Sequence, residues 1–217
     1  MKTILTPILV SIALLFSVDA LALKSDSQHL FGYTEYEKSG LSLFPQWLNV
    51  LSRHRDDLKT AIVDGQSCVS AKLDQCAMNE WLSFLDSLRS LSKAEQIKQV
   101  NLFANKKAYV LDIKNYGIED YWATPKEFLK NNGDCEDYAI FKYMSLKWLG
   151  YDTSKMRVVV VQDTNLRIAH AVMAIERDDT IYILDNQISE VLPHTAIFHY
   201  VPVYSVNEEH WWMHVPN

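Results

Sequence analysis

The stretch Gly133-Asp134-Cys135-Glu136-Asp137-Tyr138 lies between a stop signal, Asn131-Asn132-Gly133, and a helical run. In that run Tyr138, Phe141, Met144, Ser145 and Trp148 recur at i, i+3, i+4 spacing, and Gly150 closes it. Cys135 therefore falls at or just before the first turn of a helix. Unpaired backbone N–H groups give such a position partial positive charge, which favours a thiolate.

Upstream, Thr124-Pro125-Lys126-Glu127 supplies an N-cap, a proline at the first helical position and a capping glutamate, predicting a short helix through Leu129. A loop dense in aromatic and acidic residues, Asn115 to Trp122, precedes it. Further back the chain reads as helical. Phe44-Pro45 opens a stripe of Trp47, Leu51, His54 and Leu58. Trp81, Phe84, Leu85 and Leu88 form a second stripe, and Ser92 with Glu95 caps a helix carrying Ile97, Val100 and Phe103. These stripes are core faces rather than cofactor contacts.

Downstream the pattern changes period. Arg157 to Gln162, Ile168 to Glu176 and Thr180 to Leu184 read as strands, separated by the turns Asp163-Thr164-Asn165 and Arg177-Asp178-Asp179. An antiparallel three-strand meander follows, with a further strand near Tyr200-Val201-Pro202-Val203-Tyr204 and an aromatic closing segment at Trp211-Trp212. Helices preceding an antiparallel sheet predict an α+β fold.

A nucleophilic cysteine needs a base, and the base needs an orienting acceptor. Of seven histidines, only His170 sits inside a strand of the sheet directly following the cysteine helix. Pairing through the 177–179 turn puts it opposite a position between about 185 and 187, where Asp185 and Asn186 stand. The bland reading is a buried histidine satisfied by a structural aspartate. The order Cys135, His170, Asp185, with the cysteine at a helix start, favours a catalytic triad.

Asp134, Glu136 and Asp137 oppose that reading in one respect, because nearby negative charge disfavours a thiolate. A hard divalent cation on oxygen ligands, with Ca²⁺ the best fit, would neutralise them and order the loop. Alternatively the three carboxylates merely complement the helix dipole; their spacing is not that of an EF-hand.

The first residues suggest export. Met1-Lys2 leads a nearly uncharged run from Thr3 to Val18, and Ala20-Leu21-Ala22 has the pattern of a signal-peptidase site. The apolar core, Ile4 to Phe16, is shorter than the roughly 20 residues that span a bilayer. A signal peptide over 1–22 and a single domain over 23–217 are expected. The net charge of −6, with no basic tract, argues against nucleic acid as a partner. Of the three cysteines, Cys68 and Cys76 are close enough in sequence for a local disulfide that would leave Cys135 unpaired. Three reduced thiols are the other possibility.

At these residues the chain resembles the bacterial transglutaminase-like cysteine proteinases, the LapG type of periplasmic adhesin-cleaving protease. The resemblance is carried by Asp120-Tyr121-Trp122-Ala123-Thr124-Pro125-Lys126-Glu127-Phe128-Leu129, Gly133 to Tyr138, Ala169-His170-Ala171-Val172, Leu184-Asp185-Asn186 and Trp211-Trp212. It implies a papain-like, transglutaminase-like core and a triad of Cys135, His170 and Asp185. It also implies calcium-dependent activity with Asp134 and Glu136 as ligands and Asp137 as an additional one. The implied substrate is the N-terminal retention region of a large surface adhesin, whose release disperses biofilm. The implied partner is an inner-membrane cyclic-di-GMP receptor that sequesters the protease. A transglutaminase or deamidase using the same acyl chemistry, and a non-catalytic exported binding module, are the competing readings.

Overall fold

The computed structural model describes residues 29–63 and 73–217. The expected leader over 1–22 and the Cys68 half of the expected disulfide lie outside the described residues. Among the described residues no helix is long and apolar enough to cross a membrane.

Six helices are described: α1 (Pro45–Val63), α2 (Leu73–Ser87), α3 (Lys93–Ala104), α4 (Asp112–Asn115), α5 (Pro125–Asn131) and α6 (Cys135–Trp148). Seven strands form one sheet, in the order β1-β7-β6-β2-β3-β4-β5. They are β1 (Thr34–Ser39), β2 (Met156–Asp163), β3 (Ile168–Arg177), β4 (Thr180–Leu184), β5 (Leu192–Pro193), β6 (Tyr200–Val206) and β7 (His210–Val215). All the pairings are antiparallel. The α+β expectation holds.

Local chemistry explains the helix starts. Thr124 caps α5 by accepting from Glu127 N–H, while the Glu127 carboxylate takes the Thr124 N–H at 2.7 Å. Ser92 accepts from Glu95 N–H at the start of α3. The run from Asp137 through Leu146 in α6 is buried on all sides rather than along one stripe. A helix at the centre of a molecule needs no polar face. Even Lys142 is fully buried there, its Nζ lacking a hydrogen-bond partner among the described residues, and burial lowers its pKa to about 7.

One core lies between the helices and the sheet, and includes Trp47, Trp81, Phe141, Met144, Val158, Met173 and Ile175. A second lies on the other face, with Val159, Val161, Val172, Ile183 and Tyr200. Burial on both faces explains why Val158-Val159-Val160-Val161 shows no polar alternation.

The β3–β4 hairpin turns through Asp178 and Asp179, at φ of 51° and 57°, and pairs Arg177 with Thr180 and Met173 with Leu184. Two positive φ values in a two-residue loop identify a type I′ turn, which matches strand twist. β4 ends at Leu184, so Asp185 reaches His170 from just beyond the ladder rather than from a paired position. β1 was not foreseen. Its sequence Thr-Glu-Tyr-Glu-Lys-Ser is charged because it is an edge strand, and among the described residues it pairs only with β7.

Candidate active site

Backbone geometry fixes the approach to Cys135. A parallel bridge joins Tyr109 to Gly133, and Val110 N–H donates to Gly133 C=O at 2.9 Å. A side chain on Gly133 would place its Cβ 2.2 Å from Asp137 Oδ2, so only glycine lets that carboxylate fold back against the chain. Asp137 uses the space, accepting from Asp134 N–H at 3.3 Å and from Ala123 N–H at 2.7 Å. Asp134 in turn accepts from Asp112 N–H at 3.2 Å, and Asp112 from Tyr121 N–H at 2.5 Å. Buried carboxylates thus tie the start of α6 to two loops. Arg53 of α1 braces one of them through Tyr121 Oη, the Trp122 carbonyl and Glu127.

These carboxylates form two overlapping groups: Asp112, Asp134 and Asp137, and Asp112, Asp120 and Glu136. Within each group one oxygen per residue lies within 4.8 Å of the others. All three residues named from the sequence are present, and Asp112 and Asp120 join them. Buried Asp112 Oδ1 and Asp134 Oδ1 have no hydrogen-bond partner among the described residues. Burial pushes Asp112 up to about 6 and Glu136 up to about 9, and raises Asp134 and Asp137, with mutual repulsion adding to the effect. Orphaned carboxylate oxygens at this spacing suit a hard cation with oxygen ligands.

Cys135 occupies the first position of α6. Its thiol donates to Glu136 Oε2 at 3.3 Å. Burial, then the Glu136 and Asp134 charges, push its pKa well above the ordinary value, while a hydrogen bond from Ala171 N–H works the other way. The effect of the Ala171 backbone on the thiol associates Cys135 with β3, the strand that carries His170.

His170 is buried, and its Nε2 meets Asp185 Oδ1 at 2.9 Å. Two residues not singled out from the sequence complete the pair. Gln187 N–H donates to Asp185 Oδ1 at 2.9 Å, and Tyr200 Oη donates to Oδ2 at 2.5 Å. Burial pushes the Asp185 carboxyl up, but the His170, Gln187 and Tyr200 hydrogen bonds outweigh it and hold the pKa below the usual range. An ionised Asp185 holding Nε2–H leaves Nδ1 as the basic nitrogen. Trp122 takes no part in this arrangement, since its indole N–H donates to Asp120 Oδ1 at 3.0 Å. The structure thus has a thiol at the first position of α6 and, on β3, a histidine oriented by an ionised carboxylate.

The model of the family described as bacterial transglutaminase-like cysteine proteinase matches residues 67–217. The chain belongs to this family. It is accordingly a cysteine protease with a transglutaminase-like fold. Among solved structures, this family member is similar to Legionella pneumophila LapG at 30% identity and a TM-score of 0.61, over 71% of this chain and 86% of that one. Calcium-bound LapG matches at 29% identity and the same TM-score, over 74% and 87%. EGTA-treated LapG matches at 30% and 0.61, over 71% and 83%. No curated protein matches by sequence.

Proposed function

We propose that the protein is a calcium-dependent cysteine endopeptidase in which Cys135 is the nucleophile, His170 the acid–base and Asp185 the orienting acid. The observation that carries this is the His170–Asp185 pair, buried and hydrogen-bonded at 2.9 Å on the strand whose next residue, Ala171, acts on the Cys135 thiol. His170 Nδ1 takes the thiol proton as sulfur attacks the scissile carbonyl, then returns it to the leaving amine; water releases the acyl group by the same route. Asp185 keeps Nε2 protonated and stabilises the imidazolium. The Cys135 backbone N–H, at the helix start, is positioned to donate to the developing oxyanion.

Asp112, Asp134 and Asp137, with Glu136 and Asp120 beside them, would hold Ca²⁺. The ion would supply positive charge that cancels the carboxylates opposing the thiolate. The existence of a calcium-bound and an EGTA-treated LapG structure supports choosing this metal.

The proposed substrate is the N-terminal retention region of a large surface adhesin, cut in the periplasm, with consequences for biofilm attachment; the similarity to LapG supports this reading. The inhibitory partner would be the periplasmic domain of an inner-membrane cyclic-di-GMP receptor. The test is the mass of an adhesin N-terminal fragment after incubation with calcium, with excess chelator, and with Cys135→Ala. Cleavage that needs both calcium and Cys135 is expected. An intact fragment under all conditions, with folded protein, would reject the protease reading. A fragment that gains an amine instead of shortening would indicate acyl transfer.

A further inference from the structure

β3 is longer than its partner on one side. β2 pairs with it along its N-terminal part, matching Asp163 with Ile168, Val161 with His170 and Val159 with Val172. β4 pairs only from Met173 to Arg177, and the chain leaves the sheet at Leu184. Among the described residues, Ile168 to Val172 therefore have a neighbouring strand on one side only.

The register says which backbone groups face the open side. In a two-residue type I′ hairpin the flanking residues, here Arg177 and Thr180, exchange both backbone hydrogen bonds. Backbone direction alternates along a strand, so Ile175, Met173, Ala171 and Ala169 share that orientation. The lowering effect of the Ala171 backbone on the Cys135 pKa agrees with that orientation. The Ala169 N–H and carbonyl, in an exposed residue, and the Ala171 carbonyl, in a buried one, then face the side that β4 leaves open, and among the described residues no backbone hydrogen bond to any of them is made outside the strand ladder. Such groups are a template for another strand. Ala169 lies two residues, roughly 7 Å, from Ala171.

The surroundings favour an extended peptide. Ile168 is exposed and by alternation shares the sheet face of His170. Phe198, 91% exposed, stands at the same end of the sheet, where Thr164 N–H holds the His199 carbonyl at 2.9 Å. Neither residue serves the core.

We infer that the open edge of β3 at Ala169 and Ala171 is the substrate-docking strand. An extended stretch of polypeptide adds to the sheet there by main-chain hydrogen bonds, and one of its apolar side chains lies against Ile168 and Phe198. This rests on the endopeptidase reading and adds how the substrate is held. Recognition through main chain makes conformation the first requirement, so a segment already folded into a helix is not a substrate.

The test has two arms, both using peptides that span the bond cut in the adhesin fragment. In the first, each amide is N-methylated in turn; one or two positions beside the scissile bond should raise KM about tenfold, the value of one or two backbone hydrogen bonds. In the second, Ala169→Pro removes the edge N–H while leaving the bonds to β2 in place, and should lower kcat/KM about tenfold. The thermal midpoint and Cys135 alkylation by iodoacetamide report whether fold and nucleophile survive. Wild-type cleavage with no sensitive amide, or an unimpaired Ala169→Pro, overturns the docking strand and leaves the protease standing. A wild-type protein that cuts nothing removes both. Should the proline variant not fold, the N-methyl series alone decides.

Discussion

Asp185 is the residue whose surroundings say most about chemistry. Three donors hold it, from His170, Gln187 and Tyr200, and they keep it ionised despite burial. Asp185→Asn would reverse the donor at His170 Nε2 and favour the wrong tautomer. A fall in kcat/KM of about 10³-fold or more is expected, with the thermal midpoint changed by only a few degrees. Tyr200→Phe removes one of three donors and should cost about tenfold. Steady-state kinetics on the adhesin fragment would measure both. Equal effects from the two substitutions would mean that Asp185 is not acting through the histidine.

At the scale of elements, the Cys135 helix start is built by carboxylates from three separate segments. Gly133 is the hinge of that construction, since a methyl group there would displace Asp137. Gly133→Ala is therefore expected to weaken calcium binding by at least about tenfold, measured by titration calorimetry, and to lower activity in parallel. Unchanged affinity would remove Asp137 from the ligand set. The three strands β2, β3 and β4 were legible because valine-rich runs and an Asp-Asp turn are local signals. The pairing of His170 with Asp185 followed from strand counting. Asp112 and Asp120 were not legible as partners of Asp134 and Glu136, because proximity across 22 residues, from Asp112 to Asp134, is made by tertiary packing. Tyr200 was hidden for the same reason, and β1 because its charges mark an edge rather than a buried strand.

For the molecule as a whole, pH acts through buried histidines outside the site. Burial lowers His54 and His214 from 6.5 to about 4. The unfolded chain binds protons that the folded chain refuses, so stability is full above about pH 6.5 and is lost as pH falls toward 4, by at most about 3 kcal/mol per histidine. His54→Leu should flatten that decline by about 2 kcal/mol between pH 7 and 4.5 in denaturant titrations at constant calcium. An identical decline would place the acid sensitivity elsewhere. The central claim concerns the nucleophile and its partner, and the rate of Cys135 alkylation against pH, with calcium and with His170→Ala, tests it most directly. The account predicts that with calcium the rate reaches its plateau below pH 7, and that His170→Ala or chelator moves the rise above pH 8.5. A rise near pH 8.5 in every sample, indifferent to His170 and calcium, would contradict it.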